Sequence, residues 1–225
     1  MTTGDKAIVL VSGGLDSLLT LAVAIQQKLS VSTLHINYNQ ATQKKELEAY
    51  NNIINYYNIE KESLVVDIDY LKKIGGSNLT EDNFNKKNTD NIPNSYVPFR
   101  NANIIAIATA WAEVIEANYI FIGASEVDYS GYPDCRRVFF DAFEKTIELG
   151  TRPDTKISII TPLLKMTKED IVRKGIELNI PFELSWSCYY SNDLACGVCD
   201  SCKLRLNGFN KVGISDPIKY QKKMF

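Results

Sequence analysis

The chain has a single histidine, His35, and none of its serines sits in a G-x-S-x-G elbow. Because His35 falls on a predicted strand, hydrolysis by a Ser-His pair is disfavoured. There is no G-x-x-x-x-G-K-[ST] loop and no G-x-G-x-x-G turn, so Walker-type and Rossmann dinucleotide sites are not indicated. Basic excess is lacking too: 25 Lys and Arg face 27 Asp and Glu, a formal charge of -2, which does not suit a protein that coats nucleic acid or anionic membrane. No apolar run is long enough to span a bilayer, the best candidates being broken by Asp16 or by Asn103 and Glu113. The N-terminus lacks the apolar core and cleavage site of a signal peptide, so a cytoplasmic protein with no membrane partner is expected. In that compartment structural disulfides are disfavoured, and clustered cysteines read as metal ligands or redox groups. Internal repeats and low-complexity tracts are absent as well.

What is present is an ordinary globular composition, 45% hydrophobic and 23% charged over 225 residues, enough for one large domain with a small appendage. Ala7–Val11 is a continuous β-branched run of the kind buried on both sheet faces. Further strands are predicted at 31–38, 63–68, 119–124 and 157–163. Helical spacing is predicted through Leu18, Leu21, Ala22 and Ile25, then over 44–57, 104–115, 139–149 and 168–178. Residues 72–98, with Gly75, Gly76, Pro93 and Pro98, read as a long functional loop. Strands alternating with helices predict an α/β class, a doubly wound, mostly parallel sheet. Two units are expected: a nucleotide-binding α/β domain over 1–184 and a cysteine-rich tail over 185–225.

Two patterns carry chemistry. The first is Ser12-Gly13-Gly14-Leu15-Asp16-Ser17, between the first strand and the first helix. Ligands of doubly wound sheets bind at such strand ends. Glycines allow close backbone approach to an anion, and the helix N-terminus adds free N–H donors and positive potential. Ser12 and Ser17 offer hydroxyls, and Asp16 suits Mg²⁺ or a nucleotide hydroxyl. The turn has no lysine of its own, so Arg100, Lys165 and Lys168 are the candidate cations for a polyphosphate. The second is C-x₇-C-x₂-C-x₂-C at Cys188, Cys196, Cys199 and Cys202. Four thiolates in this spacing suit a closed, structural zinc, with an iron–sulfur cluster as the alternative. Cys135 stands apart and reads as a half-buried thiol or a cavity wall.

The loop resembles the pyrophosphate loop of the ATP-pyrophosphatase superfamily, which holds the outer phosphates of ATP while an oxygen of the substrate attacks the α-phosphorus. With "NYNQATQKKELEAY" (37–50), "GGSNLTED" (75–82), "IPNSYVPFRN" (92–101), "VDYSGYPDCRR" (127–137), "TPLLKMTKEDIV" (161–172) and "SWSCYYSNDLACGVCDSCKLRLNGF" (185–209), the chain resembles the 7-cyano-7-deazaguanine synthase family from about residue 7 to 220. That resemblance implies an ATP-dependent ligase that turns 7-carboxy-7-deazaguanine and ammonia into the nitrile through an activated carboxylate and an amide. It implies ATP contacts from Leu10, Val11, Ser12, Gly13, Gly14, Leu15, Asp16, Ser17 and Leu18. Substrate contacts would come from Asp128, Tyr132, Asp134 and Arg136, and catalytic roles would fall to Asp16, Ser17, Arg100 and Arg136, with Asn101 also within reach. The cofactors implied are one structural Zn²⁺ and Mg²⁺ with the nucleotide; the partners are small molecules and a second copy in a homodimer, with no nucleic acid. The family usually has Tyr-Gly-Gln where this chain has Tyr38-Asn39-Gln40, and asparagine tolerates the positive φ of such a turn. It usually has Pro-Glu where Arg137 and Val138 stand, the place to look for a changed acceptor. The rival functions are a paralogue that delivers the activated carboxylate to another amine, another superfamily enzyme such as a tRNA sulfur-transferase, and a non-catalytic nucleotide-binding module.

Overall fold

The computed structural model describes residues 1, 4–81, 92–127 and 131–221. Five strands, β1 (Lys6–Leu10), β2 (Ser30–Asn37), β3 (Ser63–Asp67), β4 (Tyr119–Phe121) and β5 (Ser158–Ile160), form one all-parallel sheet in the order β3-β2-β1-β4-β5. Successive strand residues point to opposite faces, and both faces of β1 are covered. Ile8 and Leu10 join one core with Ile105, Ala108 and Phe140, whereas Ala7, Val9 and Val11 join the other with Leu18, Leu21, Tyr50 and Ile171. Burial on both sides explains why β1 is apolar without alternation.

The helices are α1 (Leu15–Gln26), α2 (Gln43–Tyr56), α3 (Tyr70–Ile74), α4 (Arg100–Ile115), α5 (Arg137–Gly150), α6 (Lys168–Glu177) and α7 (Asp200–Val212). Chain order reverses direction between β1 and β4, so the crevice beyond their carboxyl ends is the expected ligand position. None of the described helices is long and apolar enough to cross a membrane.

One expectation is corrected. The loop predicted from residue 72 begins later, because α3 runs to Ile74 and ends on Gly75 at φ 75°; residues 82–91 of that loop lie outside the described residues. The cysteine-rich tail contains a full helix, α7, packed on α6. The approach is close: a Cβ on Gly208 would stand 2.8 Å from Lys168 Cγ. Phe209, almost fully buried, fills the core shared by α1 and α2. A third, smaller cluster joins Ala49 of α2 to Trp186, Cys188, Ala195, Cys199, Cys202 and Ile218, so apolar contact ties the cysteine segment to the sheet's flanking helix.

Candidate active site

The turn after β1 opens on a cavity of about 240 Å³ beyond the ends of β1 and β4. Its two glycines do different work. Gly13 has φ 88°, and a Cβ there would stand 2.5 Å from the carbonyl oxygen of Glu46, so this glycine lets α2 approach the turn. Gly14 is extended at φ -82° and is the N-cap of α1, with no side chain capping the helix. The two serines organise the turn from within. The Ser12 amide and hydroxyl each donate to Ser17 Oγ at 3.2 Å, Ser17 Oγ donates to the Gly14 carbonyl at 2.9 Å, and the Gly14 amide donates to Ser12 Oγ at 3.3 Å. The outcome is a pre-set loop with a helix N-terminus behind it, the arrangement that receives anions.

A charge pair closes one side. Thr167 caps α6 in a reciprocal bond with Asp170 and so fixes Lys168 at the helix start. Lys168 Nζ lies 2.6 and 2.8 Å from the two oxygens of Asp16. Lysine and carboxylate thus meet at the Ser12–Ser17 loop from positions 152 residues apart. Lys165, the other cation considered, is exposed and does not line the cavity.

A second part of the lining is aromatic and cationic. Arg100, the first residue of α4, donates from Nη1 to Tyr38 Oη at 3.0 Å and lies over the Tyr38 ring. Burial works against its charge, but Tyr38, Tyr132 and Asp134 around it more than offset that, so the guanidinium is held protonated. Tyr132 lines the cavity and shares a 2.6 Å hydrogen bond with Ser95. Asp134 is buried and off the lining; it accepts from the Asn101 amide at 2.9 Å and so caps α4. Burial raises its pKa, against the pull of Asn101 and Arg100. Asn101 Nδ2 donates to the Asp134 carbonyl and to Cys135 Sγ, and Cys135 lines the cavity. Burial, with Asp134 beside it, pushes the Cys135 thiol up to about 12.

Most of the expected residues therefore converge: Leu10, Val11, Ser12, Gly14, Leu15, Asp16, Ser17, Arg100, Asn101 and Tyr132 all line the cavity. Gly13 and Leu18 do not; Leu18 is fully buried in the core beneath. Arg136 is exposed, with Nε donating to the Pro133 carbonyl, and stands outside the lining. Asp128 lies outside the described residues. Arg137 pairs with Asp141 and donates to Thr161, and Val138 is 64% exposed, so the unusual pair at the start of α5 faces away from the cavity. Asn39 has the expected positive φ, 60°. His35 is buried, stacks on Tyr50 and hydrogen-bonds Val11 and Asn37, and burial lowers its pKa.

The cysteine segment completes the wall with Trp186, Ser187, Tyr189, Ser201 and Arg205. The Trp186 amide donates to the Gly13 carbonyl at 2.8 Å, a direct tie between this segment and the Ser12–Ser17 loop. The sulfurs of Cys188, Cys196, Cys199 and Cys202 all lie within 4.8 Å of one another. The backbone amides of Cys196 and Cys199 donate to Cys188 Sγ at 3.3 Å and to Cys196 Sγ at 3.4 Å. Four convergent sulfurs with amide donors fit a single metal ion.

The description "Queuosine biosynthesis protein QueC" belongs to a family model that matches residues 6–213. A 7-cyano-7-deazaguanine synthase of Chlorobium phaeobacteroides is 55% identical over 222 residues, covering 97% of this chain and 98% of that protein. The protein of the same name in Chlorobaculum parvum is 53% identical over 220 residues, covering 96% of both chains. Among solved structures, the U34-tRNA thiolase NcsA of Methanococcus maripaludis, described with a [4Fe-4S] cluster, shares the fold with TM-score 0.52 at 17% identity. The match covers 93% of this chain and 68% of that one.

Proposed function

As a member of the queuosine biosynthesis protein QueC family, the chain is a 7-cyano-7-deazaguanine synthase, we propose, converting 7-carboxy-7-deazaguanine and ammonia to the nitrile with ATP. What carries this is identity of 55% to a synthase of that name across nearly the full length of both chains. The site supports it: a glycine-serine loop, a helix N-terminus, Lys168 and a protonated Arg100 line one cavity.

The outer phosphates of ATP lie against Ser12–Ser17 and the start of α1. With Lys168 turned from Asp16 toward the polyphosphate, Asp16 would be free to hold Mg²⁺, which would screen the phosphate charge. Arg100 clamps the carboxylate of the substrate, whose ring lies against Tyr132. A carboxylate oxygen attacks the α-phosphorus and pyrophosphate leaves, its charge held by the loop as it develops. Ammonia displaces AMP to form the amide. The amide oxygen is activated by a second ATP in the same way, and loss of AMP and the two N–H protons leaves the nitrile. Asp134 and Asn101 serve by holding Arg100 and Cys135 in place, and Ser17 by fixing the loop. Arg136 and Asp128 keep the substrate-binding roles that the family resemblance implies.

Zinc is the metal proposed for the four cysteines. Sulfurs this close suit one shared tetrahedral ion, whereas cluster thiolates bind separate irons and stand further apart. Its role is to hold residues 185–221 against the phosphate loop, as the tail appended to the 1–184 domain. The protein acts in the cytoplasm as a homodimer. Exposed Phe99 and Val138, beside partly buried Phe139, supply an apolar surface for the second copy. Incubation with ATP, Mg²⁺, ammonium and the acid, followed by chromatography, tests the activity: nitrile, AMP and pyrophosphate are expected, and ATP hydrolysis without nitrile would refute it.

A further inference from the structure

Two carboxylates line the cavity among the described residues, Asp16 and Glu46. Asp16 is neutralised by Lys168. Glu46, half-buried on the first turn of α2, has no ion-pair partner among the described residues. Its oxygens accept one hydrogen bond each from neutral donors: Gln40 Nε2 at 2.7 Å and Thr42 Oγ1 at 2.6 Å. Both donors are nearly buried, at 5% and 2% exposure, so the carboxylate is held rigidly without being neutralised. A carboxylate offers about four lone-pair positions, and two remain open here. An uncompensated negative charge beside a loop shaped for polyphosphate calls for a cation. One carboxylate already bearing two neutral donors is a poor start for Mg²⁺, which seeks octahedral oxygen ligands and phosphates. It suits one small monovalent cation that donates hydrogen bonds.

We propose that the Glu46 carboxylate, oriented by Gln40 and Thr42, is the ammonium site of this cavity and receives the proton released as the amide forms. This rests on the reaction proposed above. Ammonium held at Glu46 loses one proton to solvent and its nitrogen attacks the carbonyl carbon of the acyl adenylate. A C–N bond forms and the C–O bond to AMP breaks, its electron pair leaving on the phosphate oxygen. The extra proton on the new nitrogen passes to Glu46. Acyl adenylate and ammonia thus give amide, AMP and one proton.

The two halves of the reaction separate this role from others, because conversion of amide to nitrile consumes ATP but no ammonia. In Glu46→Gln, the KM for ammonium in amide formation should rise at least about tenfold, with the KM values for ATP and the acid unchanged. The same variant, supplied with the amide, should make nitrile at the wild-type rate, which also shows that it folds. Equal loss in both halves would overturn the proposal, placing Glu46 in the ATP or Mg²⁺ site or in the scaffold. An unchanged ammonium KM would overturn it too. If the wild type converts neither acid nor amide, the proposed reaction itself fails, and the ammonium site falls with it.

Discussion

Replacing Asp216 by Asn should unseat the cysteine segment and weaken nucleotide binding with it. The side chain of Arg205, on α7, is 1% exposed and that of Asp216 2%. Nε and Nη2 of the guanidinium reach Asp216 at 2.7 and 3.0 Å, Nη1 reaches Ser185 and Ser187, and Nη2 also reaches the Phe182 carbonyl. Asp216 further accepts from Tyr220 Oη at 2.6 Å and from the Ile218 amide. Buried pairs satisfied to this degree contribute little over apolar replacements, but removing one partner strands a buried charge at a cost of about 3–5 kcal/mol. For a chain of this size ~1 kcal/mol shifts the melting temperature by about 2–4 °C, so a fall of about 10 °C is expected. Ser185 and Ser187 flank Trp186, whose amide holds Gly13, so ATP should also raise the melting temperature less than in the wild type. Differential scanning fluorimetry with and without ATP reads both effects. Glu169→Gln, which breaks an exposed pair with Arg173, serves as control and should shift the melt by no more than a degree or two. A melting temperature for Asp216→Asn equal to that control's would refute the reasoning.

Three further outcomes are expected. Asp16→Asn should lower turnover about a hundredfold or more while leaving the circular dichroism spectrum unchanged, and wild-type rates would remove Asp16 from the mechanism. Cys199→Ser should lower bound metal, measured by elemental mass spectrometry, together with thermal stability; full stability without metal would refute a structural ion. Cys135, held near 12 by burial and Asp134, stays a neutral thiol through pH 9. Its alkylation, followed by peptide mapping, should be much slower at pH 8 than that of a free thiol and keep accelerating toward pH 12. The unfolded chain ionises this thiol first as pH rises past the ordinary thiol range, so its contribution to stability is present below that range and lost above it. Alkylation at pH 8 as fast as a free thiol's would show that the group is not so buried.

Much of the molecule was legible because periodicity reports burial. The apolar run at 7–11 and the stripe from Ile104 to Ile115 mark elements covered by others, and they became β1 and α4. What escaped depends on pairings distant in sequence. α7 was hidden because its cysteines read as ligands, whereas Phe209 and the close approach of Gly208 to Lys168 make it part of the fold. Gly13 was legible as a glycine of close approach, but not that a Cβ there would meet the Glu46 carbonyl, so that it also admits α2. Asp134 stood out by its motif, but its hydrogen bond to the bare start of α4, 33 residues away in sequence, could not be read from it. Glu46, Gln40 and Thr42 were visible as residues, and the i, i+4 spacing of Thr42 and Glu46 on one helical turn was a usable signal. Their position in the cavity was not, since it depends on how the turn at Asn39 folds back.

The most direct test is to supply isotopically heavy ammonium with ATP, Mg²⁺ and 7-carboxy-7-deazaguanine to the purified protein and weigh the product by mass spectrometry. The expected product is a nitrile containing the heavy nitrogen, its mass that of the acid plus one heavy ammonia less two waters. Recovery of unchanged acid, or of amide alone while ATP is consumed, would contradict the assignment of this cavity to nitrile synthesis.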